Sequence, residues 1–198
     1  MRYVALGDSY TIGTSVTPAE SWPSQLVARL PQLELVANLG VNGYSSDDVI
    51  RYELPALASF RPEFVTLQIG VNDVVRGVPE QSYQANVARI VDAMLVLVSP
   101  DRMVCVATPD YTVTPQGTAF GSPSQRAGIE RVNAILSDAC ERRGVLFVPE
   151  TFAISQSAAT DRSLVAGDGL HPSAVQYARW VDAIEPALGD LLLPSGNR

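Results

Sequence analysis

The sequence contains no lysine, one histidine and two cysteines. It has 14 basic residues, all arginine, and 21 acidic residues, which gives a formal net charge of −7. Nucleic acid and anionic membranes repel an acidic protein, so we expect neither as a partner. Two cysteines do not make a disulfide framework. Cys105 lies in an apolar run and Cys140 in a helical pattern, so both are expected to be small buried residues.

Signals for export or for membrane insertion are also missing. The first residues lead directly into an apolar strand pattern that reaches Gly7, which leaves no room for a signal peptide. No apolar run approaches the roughly 20 residues of a membrane-spanning helix. We therefore expect a soluble, cytoplasmic protein, and a mature secreted form without its signal stays open. The 198 residues, 46% of them hydrophobic, suffice for one domain over residues 1–198 with a sizeable core.

Motifs for nucleotide and metal chemistry do not occur. Neither GxxxxGK[ST] nor GxGxxG is present, so nucleotide-dependent chemistry is not expected. One histidine and two apolar cysteines do not make a zinc site. Asp8, Asp73 and Asp168 could gather around magnesium, but nothing in their spacing requires it. We expect no metal and no cofactor.

Five short apolar runs alternate with longer helical patterns, which is typical of a parallel sheet with helices on both faces. The runs are rich in valine and leucine and do not alternate with polar residues, as expected of strands buried on both faces. Strands are predicted at residues 3–6, 33–37, 64–69, 103–107 and 145–148.

The helical patterns carry their own start and stop signals. Pro55 is expected to kink or shorten one of them. The stretches 108–121 and 151–169 have the least regular patterns, and long loops of this kind usually shape or cover a site. Helices are predicted at residues 21–30 and 46–58, after Pro79, after a capping box of Ser122 and Gln125, and after a cap formed by Ser173 with Gln176.

Ligands of open α/β sheets bind at the carboxyl ends of the strands, so the residues that follow each strand are the ones to inspect. Ser9 follows the first strand in a Gly-Asp-Ser turn, which can present its hydroxyl above the sheet or be simple turn chemistry. Gly43 follows the second strand, and either its amide points at a ligand or it only begins a turn. Asn72 follows the third, where its amide can donate to an oxyanion or lie in an ordinary turn.

The strongest single signal is near the C-terminus, where the only histidine of the chain, His171, follows Asp168 by three residues. Any mechanism that needs an imidazole base must use His171. The spacing lets the Asp168 carboxylate accept a hydrogen bond from Nδ1, which leaves Nε2 free to take a proton. Four separate loops thus offer a nucleophile, oxyanion donors and a base with its orienting group, which are complementary parts of one reaction.

In this combination and order the sequence resembles the GDSL, or SGNH, hydrolase family over essentially its whole length. The resemblance implies a three-layer α/β/α, flavodoxin-like fold with a five-stranded parallel sheet. It also implies that Ser9 attacks an ester carbonyl while His171, oriented by Asp168, removes the serine proton. The oxyanion hole would consist of the Ser9 amide, the Gly43 amide and the Asn72 side chain.

We therefore expect hydrolysis of a small-molecule ester through an acyl-enzyme, without a cofactor. Tyr44, Val71, Tyr111 and Phe120 are expected to border the substrate pocket. Tyr10 replaces the leucine of the motif that names the family. Two alternatives stay open at this point: acyl transfer to an alcohol or sugar by the same residues, and a non-catalytic binding module on the same scaffold. The sequence sets no oligomeric state.

Overall fold

Five parallel strands form one sheet in the computed structural model, which describes residues 1–120 and 123–189. Their order along the sheet is β2-β1-β3-β4-β5, the flavodoxin-like order, and all neighbouring pairs are parallel. All five predicted strands are confirmed to within one residue at each end. The strands are β1 (Arg2–Gly7), β2 (Glu34–Asn38), β3 (Phe64–Gln68), β4 (Met103–Val106) and β5 (Leu146–Val148).

Helices cover both faces of this sheet, so the predicted three-layer arrangement is confirmed. Ser173 caps the last helix as expected, because its hydroxyl accepts the Gln176 amide at 3.4 Å. Ser122, which forms the predicted capping box with Gln125, lies outside the described residues. The helices are α1 (Ser9–Ile12), α2 (Trp22–Arg29), α3 (Ser46–Asp48), α4 (Leu54–Leu57), α5 (Val71–Val75), α6 (Glu80–Leu95), α7 (Pro115–Phe120), α8 (Pro123–Glu141), α9 (Glu150–Gln156) and α10 (Ala174–Leu188).

The helical segment after β2 changes its winding before Pro55. A π-helical turn, Val49–Glu53, joins α3 to α4, and the Leu54 amide donates to the Val49 carbonyl five residues back. Proline lacks an amide hydrogen and its ring crowds the carbonyl four residues earlier, so a wider turn relieves the clash. The predicted irregularity at Pro55 is therefore present as a π turn. This turn carries the Glu53 side chain to the interior, where only 3% of the residue is exposed.

The two faces of the sheet carry separate apolar cores because successive side chains of a strand point to opposite sides. Val4 and Leu6 of β1 pack under the π turn, α6 and α8, whereas Tyr3 and Ala5 pack under α2 and α10. Cys105 and Cys140 are free thiols within the first core, as predicted. Within the described residues, none of the helices is both long and apolar enough to cross a membrane.

The two stretches that were expected to be long loops contain more regular structure than predicted. Residues 108–121 include a 3-10 turn at Tyr111–Val113 and then α7, and residues 151–169 include most of α9 and two further 3-10 turns. Local side-chain caps explain the difference. The Asp110 carboxylate accepts the Thr112 amide at 3.0 Å, and the Asp161 carboxylate accepts the Ser163 amide at 3.1 Å. Such caps stabilise short turns that have no hydrophobic periodicity to reveal them.

Candidate active site

The strand order places the candidate residues at one point of the sheet edge. From β1 the chain crosses to β2 on one side, and β3 pairs with β1 on the other, so the loops after these three strands lie next to each other. This reversal of strand order is where ligands bind in open α/β sheets. Ser9, Gly43 and Asn72 follow β1, β2 and β3 in turn.

A tight turn at the end of β1 presents Ser9. Gly7 has a φ of +151°, and a Cβ atom at this position would lie 2.3 Å from the Gln68 carbonyl oxygen, so only glycine fits. The Asp8 carboxylate then accepts the Tyr10 amide at 3.0 Å and caps α1. Ser9 is the first residue of α1 and is 6% exposed.

Asp168 and His171 form a short hydrogen bond, with 2.6 Å between Oδ2 and Nδ1. The backbone amides of Leu170 and His171 donate to Oδ1 of the same carboxylate at 2.9 and 3.0 Å. Burial opposes ionisation of Asp168, but these bonds and one from Ser15 together hold its pKa below the usual range. The ionised carboxylate accepts from Nδ1, which fixes the tautomer with Nε2 unprotonated.

Ser15 is a member of this arrangement that the sequence did not reveal. Its hydroxyl donates to Asp168 Oδ2 at 2.6 Å, from a residue with a left-handed φ of +68°. Serine rarely adopts this backbone conformation, so the surrounding structure must stabilise it. Ser15 also lines a surface hollow of about 740 Å³, which neither Ser9 nor His171 borders.

The imidazole of His171 is held from a second side by Tyr10. The two ring centroids are 5.5 Å apart, and Tyr10 also contacts Trp180 with a centroid distance of 6.3 Å. The loop itself is tied back by the Ala166 amide, which donates to the His171 carbonyl at 2.8 Å. The tyrosine in place of the family's leucine thus connects the nucleophile turn to the histidine.

The Asn72 side chain is oriented by one hydrogen bond. Its Nδ2 donates to the Tyr44 carbonyl at 2.8 Å. A carbonyl only accepts, so the NH₂ group and not the oxygen of the amide must face Tyr44. The second hydrogen of the same NH₂ group remains for another acceptor, and Asn72 lines the cavity described below.

Gly43 lies in the loop that Arg76 attaches to α5. Gly43 has a φ of +80°, which favours glycine. The Arg76 guanidinium donates to the Gly43 carbonyl at 2.6 Å and to Asp48 at 2.9 Å. Arg76 follows Asn72 by one helical turn, so it couples the Gly43 loop to the helix that carries Asn72. Sequence reasoning did not identify Arg76, because its partners are distant along the chain.

A cavity of about 380 Å³ lies between these elements. Val71 and Tyr111 line it, as the sequence analysis expected, and so does Gln125, whose Oε1 accepts the Tyr111 hydroxyl at 3.0 Å. Tyr44 is not among the described residues that line it; its ring contacts Tyr52 instead. The side chain of Phe120 lies outside the described part of the structure. The lining residues are Ser9, Tyr10, Val71, Asn72, Val75, Tyr111, Gln125, Leu170 and His171.

Gly43 is not among the described residues that line this cavity, although its loop contacts Asn72 through the Tyr44 carbonyl. Of the five residues predicted to act chemically, the structure brings Ser9, Asn72 and His171 to one cavity. Asp168 is not among the described residues that line the cavity, but it is hydrogen-bonded to His171. Among residues 1–120 and 123–189, no three or more histidine, cysteine or acidic side chains are grouped as metal ligands.

Comparison with known proteins shows the family of the chain. The GDSL-like lipase/acylhydrolase family matches residues 5–179. The chain belongs to this family. A search of curated protein sequences finds no significant match.

Several solved structures have a similar fold over nearly the whole of this chain. It is similar to TesA, with 21% identity and a TM-score of 0.76 over 97% of this chain and 100% of that one. It is also similar to Axe2, an acetylxylan esterase from Geobacillus stearothermophilus, with 20% identity and a TM-score of 0.73 over 95% and 94% of the two chains. LAE5, an α/β hydrolase from the metagenome of Lake Arreo in Spain, has 21% identity and a TM-score of 0.73 over 97% and 96%.

Proposed function

We propose that this GDSL-family hydrolase cleaves small carboxylic esters through an acyl-enzyme at Ser9. The observation that carries the proposal is the 2.6 Å bond from His171 Nδ1 to Asp168, on a histidine that shares one cavity with Ser9 and Asn72. A serine, an oriented imidazole and an amide donor around one cavity are the parts that acyl transfer requires.

In the proposed reaction the Ser9 hydroxyl oxygen attacks the ester carbonyl carbon, and His171 Nε2 takes the hydroxyl proton. The tetrahedral intermediate then breaks its bond to the alcohol oxygen, to which His171 returns the proton. Water attacks the acyl-enzyme by the same route and releases the acid and Ser9. Asp168 stays ionised throughout and stabilises the imidazolium, in keeping with its lowered pKa.

The negative oxygen of the intermediate would be stabilised by the Ser9 amide, the Gly43 amide and Asn72 Nδ2. The bond from Asn72 to Tyr44 supports this role because it holds the amide NH₂ group in a fixed orientation before substrate binds. A donor that needs no reorientation during the reaction stabilises developing charge most effectively.

The cavity favours a short acyl group. Its volume of about 380 Å³ is near the lower end of the range for ligand pockets, and Val71, Val75 and Leu170 supply apolar lining. The likeness to Axe2, an acetylxylan esterase, supports an acetyl or similarly short ester as substrate. We expect Tyr111 to border the acyl or alcohol group, so its replacement should alter substrate preference without abolishing turnover.

The deciding experiment compares p-nitrophenyl acetate, butyrate and octanoate hydrolysis by wild type, Ser9→Ala and Ser59→Ala. Ser59 is an exposed serine whose hydroxyl donates to the Ala56 carbonyl of its own turn, and it serves as the matched control. We expect kcat to fall by roughly a thousandfold or more in Ser9→Ala and to stay unchanged in Ser59→Ala. Equal rates for wild type and a folded Ser9→Ala would contradict the proposal. Product analysis with added alcohol distinguishes hydrolysis from acyl transfer.

A further inference from the structure

Three of the buried carboxyl groups in the described part of the chain, those of Asp8, Glu53 and Asp73, have no part in the proposed reaction. Asp73 is well partnered, since it accepts the Ser46 amide at 2.9 Å and the Ser46 hydroxyl at 2.6 Å. Asp8 and Glu53 are different. Asp8 Oδ2 and Glu53 Oε1 are buried, and neither has a hydrogen-bond partner. Buried polar atoms are nearly always satisfied, so a pair of exceptions next to the nucleophile turn needs an explanation.

Glu53 contacts that turn directly. Its Oε2 accepts the Gly7 amide at 2.9 Å, two residues before Ser9. The π turn makes this contact possible, because the wider winding carries Glu53 into the interior beside the end of β1. Insertions of this kind in helices are frequent at functional sites. The side chain therefore fixes the peptide at which the chain leaves the sheet and turns towards Ser9.

The surroundings of Glu53 do not favour a negative charge. None of the ion pairs among the described residues includes Glu53, and Asp48, whose charge acts on Glu53, is itself paired with Arg76. An unpaired buried carboxylate is strongly disfavoured and normally holds its proton. The charged groups that act on Glu53 are the carboxylates of Asp8 and Asp48, and both disfavour its ionisation.

Electrostatics around the pair agree with the contacts. Burial raises the pKa of Glu53 to about 9; the hydrogen bond from the Gly7 amide opposes this shift, and the charges of Asp8 and Asp48 add to it. Burial also raises the pKa of Asp8 to about 7, and the bond from Tyr10 opposes this shift. Glu53 thus keeps its proton above the pH at which Asp8 loses its own.

We propose that Glu53 is a positioning residue for the Ser9 turn and that it acts as a neutral carboxylic acid. Its Oε2 holds the Gly7 amide, while its proton prevents a second negative charge from forming beside Asp8 in the dry interior. Loss of this proton at alkaline pH would displace the turn and slow catalysis. The inference rests on the proposed esterase function, in that it explains how that function's nucleophile is held.

The chain contains a matched control at the other end of the same strand. Glu63 accepts the Arg2 amide at 2.7 Å, so a glutamate side chain again holds a backbone amide of β1. Glu63 is exposed and is far from Ser9 along the strand. Glu63→Gln therefore makes the same chemical change to the same kind of bond without altering the nucleophile turn.

The experiment measures kcat and KM for p-nitrophenyl acetate from pH 6 to 10.5 in wild type, Glu53→Gln, Glu53→Leu and Glu63→Gln. Ser9→Ala provides the blank, and circular dichroism at each pH confirms folding. Glutamine is neutral and keeps an acceptor for Gly7, so we expect Glu53→Gln to stay within about threefold of wild type at pH 7.5. We expect wild type and Glu63→Gln to lose kcat above about pH 9, and Glu53→Gln to lose none of it.

Leucine removes the acceptor, so Glu53→Leu should lose about tenfold or more in kcat at pH 7.5, with KM within about threefold. The proposal is overturned if folded Glu53→Gln keeps the alkaline loss of wild type, or if it is as impaired as Glu53→Leu at pH 7.5. Should Glu53→Leu not fold, the alkaline arm of Glu53→Gln alone decides. Activity in Ser9→Ala equal to wild type would instead refute the esterase mechanism, while the titration of Glu53 remains measurable by unfolding.

Discussion

The two sides of the candidate site are built in different ways. On the histidine side, Asp168 binds the side chain and amide of His171 and the amide of Leu170, all within four residues of sequence. On the serine side, the contacts come from distant elements: Glu53 holds Gly7 across 46 residues of sequence. The histidine side is partly exposed and satisfied by hydrogen bonds, whereas the serine side is buried and includes unsatisfied carboxyl oxygens.

This difference predicts how substitutions on each side affect stability and catalysis. A local loop that forms its own hydrogen bonds needs little from the rest of the fold, so changes there should affect chemistry more than stability. A buried turn held by tertiary contacts is part of the core, so changes there should affect stability and chemistry together. The predictions below test this contrast, beginning with the largest effect.

Replacing Asp168 by asparagine should separate chemistry from folding on the histidine side. Asparagine has nearly the same shape, but it can present an NH₂ group to Nδ1 and so favour the wrong tautomer of His171. We expect kcat to fall by about 10³- to 10⁴-fold, as in other triads of this type, with the unfolding midpoint little changed. The measurement pairs ester turnover with thermal unfolding. A large loss of stability in Asp168→Asn would show that the histidine side also supports the fold.

On the serine side, Glu53 should make stability depend on pH. Its pKa is about 9 in the folded chain against an ordinary value of 4.5, so the folded state keeps a proton that the unfolded state has lost between these limits. The free energy of unfolding therefore falls as pH rises through this window, by up to about 1.4 kcal/mol per pH unit. Glu53→Gln has no such proton, so its free energy of unfolding should rise relative to that of wild type as pH increases, by up to the same amount per pH unit.

Urea unfolding of wild type, Glu53→Gln and Glu63→Gln between pH 6 and 9 measures this slope. The raised pKa of Asp8 has the same sign in all three proteins and largely cancels in the differences. Glu63→Gln should remain parallel to wild type, because Glu63 is exposed. Parallel curves for all three would mean that Glu53 titrates normally and that the contrast between the two sides is weaker than the structure indicates.

The same contrast explains what the sequence could predict. Ser9 and the pair of Asp168 and His171 could be proposed as candidates because a unique histidine, a three-residue spacing and a strand-end turn are local patterns. The strands were identifiable because residues buried on two faces form continuous apolar runs. Glu53 and Arg76 were not, since nothing local distinguishes a buried glutamate or a loop-binding arginine from solvated residues on a helix.

Tyr44 shows a third kind of limit. Its backbone lies beside the candidate site, because its carbonyl accepts a hydrogen bond from Asn72. Its ring, however, contacts Tyr52 and does not line the cavity. The direction of a loop side chain depends on backbone angles that a positive φ at Gly43 resets. Sequence position alone therefore located the loop at the site and could not assign its side chain to the pocket.

Ser15 offers the smallest effect and the sharpest comparison, because its hydrogen bond to Asp168 reaches the histidine side from a distant part of the chain. Ser15→Ala removes a 2.6 Å bond to Asp168, which keeps its three other bonds and is exposed enough for water to replace the hydroxyl. We expect kcat/KM to fall only about two- to tenfold. Ser15→Gly, which relieves the left-handed backbone as well, should match Ser15→Ala if the hydroxyl is what matters. A loss in Ser15→Ala as large as that in Asp168→Asn would mean that the histidine side depends on a distant element just as the serine side does.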